Sequence, residues 1–118
     1  MTVESDIFDQ LKGLVGNRVF PDFAPVSTQR PYITYVQIGG DAVSFIENAL
    51  PSKKNGMFQV NVWAQTRADA AQVALQVEAA FVVASVFQAR PMSAVISDYD
   101  PDIPVYGTRQ DFSIWSDR

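Results

Sequence analysis

Apolar residues at the start of the chain recur at helical spacing. Val3, Ile7, Phe8, Leu11 and Leu14 follow one another at steps of three and four, which lays them along one helical face. Thr2 precedes them as an N-cap, and Glu4 and Asp6 sit in the first turn, where the helix dipole favours acids. Gly13 and Gly16 are the expected stops. Pro21, Pro25 and Pro31 then keep the polar stretch from Asp22 to Arg30 out of helix. This region reads as an extended connector with room for one short strand at Arg18–Phe20. Tyr32 to Ile38, rich in aromatic and β-branched residues, reads as a strand broken by Gly39-Gly40.

The second half repeats the alternation. From Met57 to Gln65, Phe58, Val60, Val62 and Ala64 face one way while Gln59, Asn61 and Gln65 face the other, as in a half-buried antiparallel strand. Thr66 opens a second helix, with Asp69 in the capping-box position. Its apolar stripe is Ala70, Val73, Ala74, Val77, Ala80, Phe81 and Ala84, and the alanines allow close approach to a sheet. Pro91 ends this region. Met92 to Tyr99 reads as a third strand, Asp100 to Pro104 as a stiff turn, and Val105 to Trp115 as a fourth strand. On that last strand Tyr106, Phe112 and Ile114 are expected on one face, and Arg109, Asp111 and Ser113 on the other. The expectation is a single α+β domain over 1–118. It has a four-stranded, mainly antiparallel sheet with two helices on one face, in the order α-β-β-α-β-β.

The segment from Asp41 to Asn55 fits this scheme least well. About 15 residues is long for a hairpin connection, where 2–5 is usual. It carries Val43, Phe45, Ile46 and Leu50, which a solvated loop does not need. It either folds back on its own sheet or docks on another chain. Asn55-Gly56 at its end is a strong turn signal.

Composition narrows the chemistry more than any motif does. The 118 residues include no cysteine and no histidine. That removes thiol chemistry, disulfides, Ser-His-Asp triads and His-based zinc sites. The net charge of −4 argues against a general nucleic-acid binder and against an anionic membrane surface. No apolar run approaches the roughly 20 residues that span a bilayer, and the acidic N-terminus is unlike a basic signal peptide. A protein that stays in the cytosol where it is made is expected.

Candidate chemistry is sparse. Asp98, Asp100 and Asp102 space like the opening of a calcium loop. The glycine and the bidentate glutamate that such a loop needs are replaced by Ile103 and Arg109. An acidic hairpin turn is the plainer account. Lys53-Lys54 reads as a solvated tip or as a contact for an acidic partner. Trp63 and Trp115 fall on otherwise polar strand faces, a placement enriched at interfaces. No phosphate loop surrounds Gly39-Gly40.

Several short patterns together carry a resemblance. They are Arg18-Val19-Phe20-Pro21-Asp22-Phe23-Ala24-Pro25, then Arg30-Pro31-Tyr32-Ile33-Thr34-Tyr35 and Phe58-Gln59-Val60-Asn61-Val62-Trp63-Ala64. The alanine-rich helix follows, and Asp111-Phe112-Ser113-Ile114-Trp115 closes the series. In this order they resemble the tail-completion family of long-tailed bacteriophages, which includes lambda-type tail terminators and head-to-tail joining proteins and is often prophage-encoded. The resemblance implies a structural, non-enzymatic subunit without cofactors. Such a subunit caps the head-proximal end of the tail tube as a hexameric ring, weakly associating when alone. It ends tube growth and meets the head connector. Its partners are itself, the tube protein and the connector proteins, with no membrane and no specific nucleic-acid binding, only transient passage of phage DNA. Its location is the host cytoplasm during assembly, then the virion tail.

On this resemblance, Val43, Phe45, Ile46, Leu50, Lys53, Lys54 and Trp63 are candidates for subunit or tube contact. Asp98, Asp100 and Asp102 are candidates to line an acidic lumen, where like charge keeps DNA from sticking. The alternatives are a head-side neck protein of similar shape, a small metal- or carboxylate-dependent enzyme, and a stand-alone bacterial binding domain.

Overall fold

A computed structural model describes residues 2–42 and 51–118. Helix α1 covers Val3–Leu11 and runs into a 3₁₀ turn over Lys12–Leu14. Strands β1 (Val19–Pro21), β2 (Tyr32–Gly39) and β3 (Lys53–Ala64) follow, then helix α2 (Arg67–Val82). Strands β4 (Gln88–Pro91), β5 (Ile96–Asp100) and β6 (Val105–Asp117) complete the chain. The expected four-stranded, mainly antiparallel sheet is therefore wrong. Among the described residues the sheet has six strands and is mixed, ordered β1-β2-β3-β6-β4, with β5 also pairing β6.

Three local causes account for the difference. The first is the proline-rich connector, which brings the chain round so that β1 runs parallel to β2, Val19 opposite Ile33. Second, β4 is short and contains Pro91. Proline lacks the ladder donor, and an edge position tolerates that. Third, the strand expected over Met92–Tyr99 shortens to β5, and β4 forms before it where no strand was expected. β4 pairs with β6 around Phe112–Trp115, and β5 pairs with it around Val105–Arg109.

The expected turn at Asn55-Gly56 is also replaced. Both residues lie within β3, opposite Trp115 and Ile114. Asn55 Nδ2 donates to Ser113 Oγ at 2.9 Å. A Cβ at Gly56 would meet the Phe58 ring at 2.7 Å, so the site takes glycine for lack of room. The pair serves packing and cross-strand bonding, and the strand continues through it.

Both helix starts follow the pattern read from the sequence. Thr2 Oγ1 accepts from the Ser5 amide at 3.1 Å, and the Thr2 amide donates back to Ser5 Oγ at 3.3 Å. Thr66 Oγ1 accepts from the Asp69 amide at 3.1 Å. Each cap satisfies a helix-start donor, worth about 1 kcal/mol. The two helices lie on one face of the sheet. There Ile7, Leu11, Val73, Val77 and Phe81 join Phe58, Val60, Val62, Phe112 and Ile114 in one core cluster. Phe81 sits edge-on to both Phe87 and Phe112, with ring centroids 5.4 and 4.9 Å apart. On β6 the core face is Thr108, Gln110, Phe112, Ile114 and Ser116. Tyr106, expected among them, is exposed and stacks near Tyr99 at 4.9 Å.

Candidate functional site: the open face of the sheet

Among the described residues, no helix covers the face of the sheet away from α1 and α2. Cross-strand register places Tyr32 beside Trp63, Thr34 beside Asn61, and Asn61 beside Arg109 on it. A groove of about 360 Å³ crosses this face. Its floor includes Thr34, Gln59, Asn61 and Trp63, and its walls include Phe23, Asp98, Asp100 and Ile103. Ala24, Tyr32 and Ile103 also line a second hollow that reaches Pro25 and Val26, so the two run into each other.

Trp63 is fixed in this floor by two neighbours. Its Nε1 donates to Thr34 Oγ1 at 3.2 Å. Its ring lies over Gly107, where a Cβ would come within 2.6 Å of Cε3 and Cζ3. Glycine at 107 thus lets an indole lie flat against the sheet where any side chain would lift it. Asn61 Nδ2 donates to Gln59 Oε1 at 3.3 Å, so the polar floor is partly self-bonded. Asp111, register partner of Gln59, keeps one buried carboxylate oxygen without a hydrogen-bond partner among the described residues. Burial raises the phenol of Tyr32 above its ordinary value of 10.0; Arg30 opposes that shift and Asp100 adds to it.

The structure brings together Trp63, Asp98 and Asp100 from the candidates read in the sequence. Asp102 lies in the adjoining turn, outside the groove lining, and its amide donates to Asp100 Oδ1 at 3.0 Å. The Tyr99 amide donates to Asp98 Oδ1 at 2.8 Å. Such local bonds are what Asp supplies in turns. Among the described residues no three acidic, histidine or cysteine side chains are placed to hold a metal ion. Lys53 and Lys54 lie at the other end of β3, about 30 Å from Trp63 at strand rise. Lys53 is exposed and pairs with Asp117. Val43, Phe45, Ile46 and Leu50 lie outside the described residues.

Sequence reading missed Phe23, Val26 and Ile103, all exposed and apolar. Their signal was present: large apolar side chains between prolines, where no core periodicity accounts for them.

A mixed sheet with two helices on one face and an open, aromatic-floored groove on the other defines a small scaffold domain. It offers surface rather than an enclosed pocket. Residues 8–117 match the family model described as Tail completion protein gp17, and the chain belongs to that family. Its role is structural, in the phage tail, where such proteins meet other tail or head proteins. A solved structure known only by a sequence label shares the fold. Its TM-score is 0.60 at 16% identity, over 98% of this chain and 90% of that one. A search of curated proteins finds no match. No helix among the described residues is long and apolar enough to cross a membrane.

Proposed function

We propose that this protein caps the head-proximal end of the tail tube as a ring, ending tube growth and presenting a surface to the head connector. The observation that carries this reading is the open sheet face, with half-buried Trp63 and exposed Phe23 and Ile103 around a groove that nothing in the described chain fills. Apolar surface of this kind is typical of a subunit that completes itself against partners. Contacts between unlike patches on successive copies close into a ring when the rotation allows. A tube end displays its subunits in register and raises the effective concentration of the capping copies, so association weak in solution becomes firm on the template. The host cytoplasm is where this assembly takes place.

Asp98, Asp100 and Asp102 are proposed to face the lumen. They cluster in β5 and its turn, and like charge there repels passing DNA. Triple replacement by Asn slows DNA ejection on this reading; unchanged ejection kinetics overturns the lumen assignment.

The deciding experiment is electron microscopy of particles made without this gene. Tubes of uncontrolled length support capping. Normal-length tails beside DNA-filled heads would instead make the protein a head-side neck component. Normal infectious particles would remove both roles.

A further inference from the structure

Helix α2 is apolar on two sides. Its buried stripe, Ala70, Val73, Ala74, Val77 and Phe81, packs on the sheet. Nearly opposite, Ala68, Ala71, Leu75, Ala79 and Val82 follow at steps of three and four, all exposed. Helical geometry puts Asp69, Gln72 and Gln76 along one flank of this second stripe and Arg67 and Glu78 along the other. Leu75 is 65% exposed, and Val83, just beyond, 80%. Scattered apolar residues on a surface need no explanation, but a helix apolar on both sides belongs between two layers. The described residues supply one of them.

A second apolar patch lies on the far side of the sheet. Phe23 is 79% exposed and Val26 96%, and with Ile103 they edge the groove. The α2 stripe is a convex ridge and this patch is a concave groove. Each exposes on the order of 400 Å² of apolar surface, the size of a working patch on a small protein.

We infer that the occupant of each patch is the other patch on a second copy: the α2 ridge of one subunit seats in the Phe23–Val26–Ile103 groove of the next. The inference rests on the ring reading and names its subunit contact. Because the two patches lie on opposite sides of the sheet, one symmetric pair cannot bury both. A head-to-tail series buries both on every subunit once it closes. One such contact covers about 800 Å² in total, below the roughly 1,200 Å² of a stable isolated pair. Copies therefore stay apart in dilute solution and gain stability from closure. Asp22, Asp98, Asp100 and Arg109 line the groove beside this apolar edge; the ridge covers the edge and leaves Asp98 and Asp100 open to the lumen.

The test is complementation between two surface variants, Leu75→Glu on the ridge and Val26→Asp on the groove. Both side chains are largely exposed, so a thermal melt like the wild type confirms folding. Sedimentation at millimolar concentration is expected to show wild-type self-association and at least tenfold weaker association for either variant alone. An equimolar mixture keeps one intact ridge and one intact groove, so it is expected to stop at the heterodimer. Full association by Val26→Asp would overturn the contact, and so would a wild type that stays monomeric at the highest concentration. Electron microscopy keeps this result separate from the ring reading. Rings on wild-type tubes that form equally with both variants would overturn the contact and leave the ring. Tubes without any ring would remove the ring reading, while complementation in solution would still establish the contact.

Discussion

Replacing Gly107 by alanine tests how the open face is built. The added Cβ would lie 2.6 Å from two atoms of the Trp63 ring and 3.1 Å from the Val62 carbonyl oxygen. The backbone is the less able to move, since Val62 lies within the β3–β6 ladder. The indole must lift, and its 3.2 Å bond to Thr34 is lost. Overpacking of this kind costs ~1–3 kcal/mol, and the hydrogen bond adds about 1 kcal/mol. Reduced freedom of the unfolded chain returns ~0.4–1 kcal/mol. The net expectation is a loss of about 2 kcal/mol. At about 4 °C per kcal/mol for a chain this size, the melting point falls by roughly 8 °C.

Urea unfolding followed by tryptophan fluorescence measures the loss directly. Displacing Trp63 from the sheet also shifts the native emission to the red, with Trp115 as a constant background. The control is the same substitution in a Trp63→Ala background, where the collision is gone and the cost should fall below about 1 kcal/mol. The reasoning is refuted if Gly107→Ala melts like the wild type, or if it costs as much without the indole as with it.

Other expectations follow from the core, a cap and the titrating phenols. Phe81→Ala removes a fully buried ring and two edge-on aromatic contacts, and equilibrium unfolding should show a loss of about 4 kcal/mol. Thr66→Ala removes the α2 cap and should cost about 1 kcal/mol by the same measurement, with Thr66→Ser nearly neutral. Burial raises the phenol of Tyr35, with the Glu4 charge and hydrogen bond and then the Asp22 charge adding to it. Tyr32 is raised too. A raised phenol contributes stability that is complete below its ordinary value of 10.0 and is lost as pH climbs through the folded value. Stability against pH should thus fall in that alkaline range, and Tyr35→Phe should make the fall shallower.

Much of the framework was legible because it rests on local rules. Thr2 and Thr66 announce both helices by cap chemistry, and the alternation of Phe58, Val60, Val62 and Ala64 announces the core face of β3. What escaped was decided by distant partners. Asn55-Gly56 has the chemistry of a turn, yet β6 is long enough to pair with it and Phe58 fills the space a side chain would take. β4 is too short to show an alternation, and its proline reads as a stop. The groove mixes residues from β2, β3, β5 and β6 with the loop after β1, so no contiguous motif marks it. Trp63 was legible as an aromatic on a polar face. Gly107 beneath it was not, because its role exists only across the ladder.

Strand β6 has a kinetic consequence. It is the partner of β3, β4 and β5 alike, and its ladder with β3 joins residues 53 and 117 at one end and 64 and 106 at the other. These pairings close over long stretches of chain, so they form late and comparatively slowly. Until β6 arrives, β3 has only β2 beside it, β4 and β5 have no strand to join, and the groove lacks its Arg109 side. On the proposed reading, folding is thereby a checkpoint for assembly: an unfinished chain does not display the groove through which a finished one would be recruited.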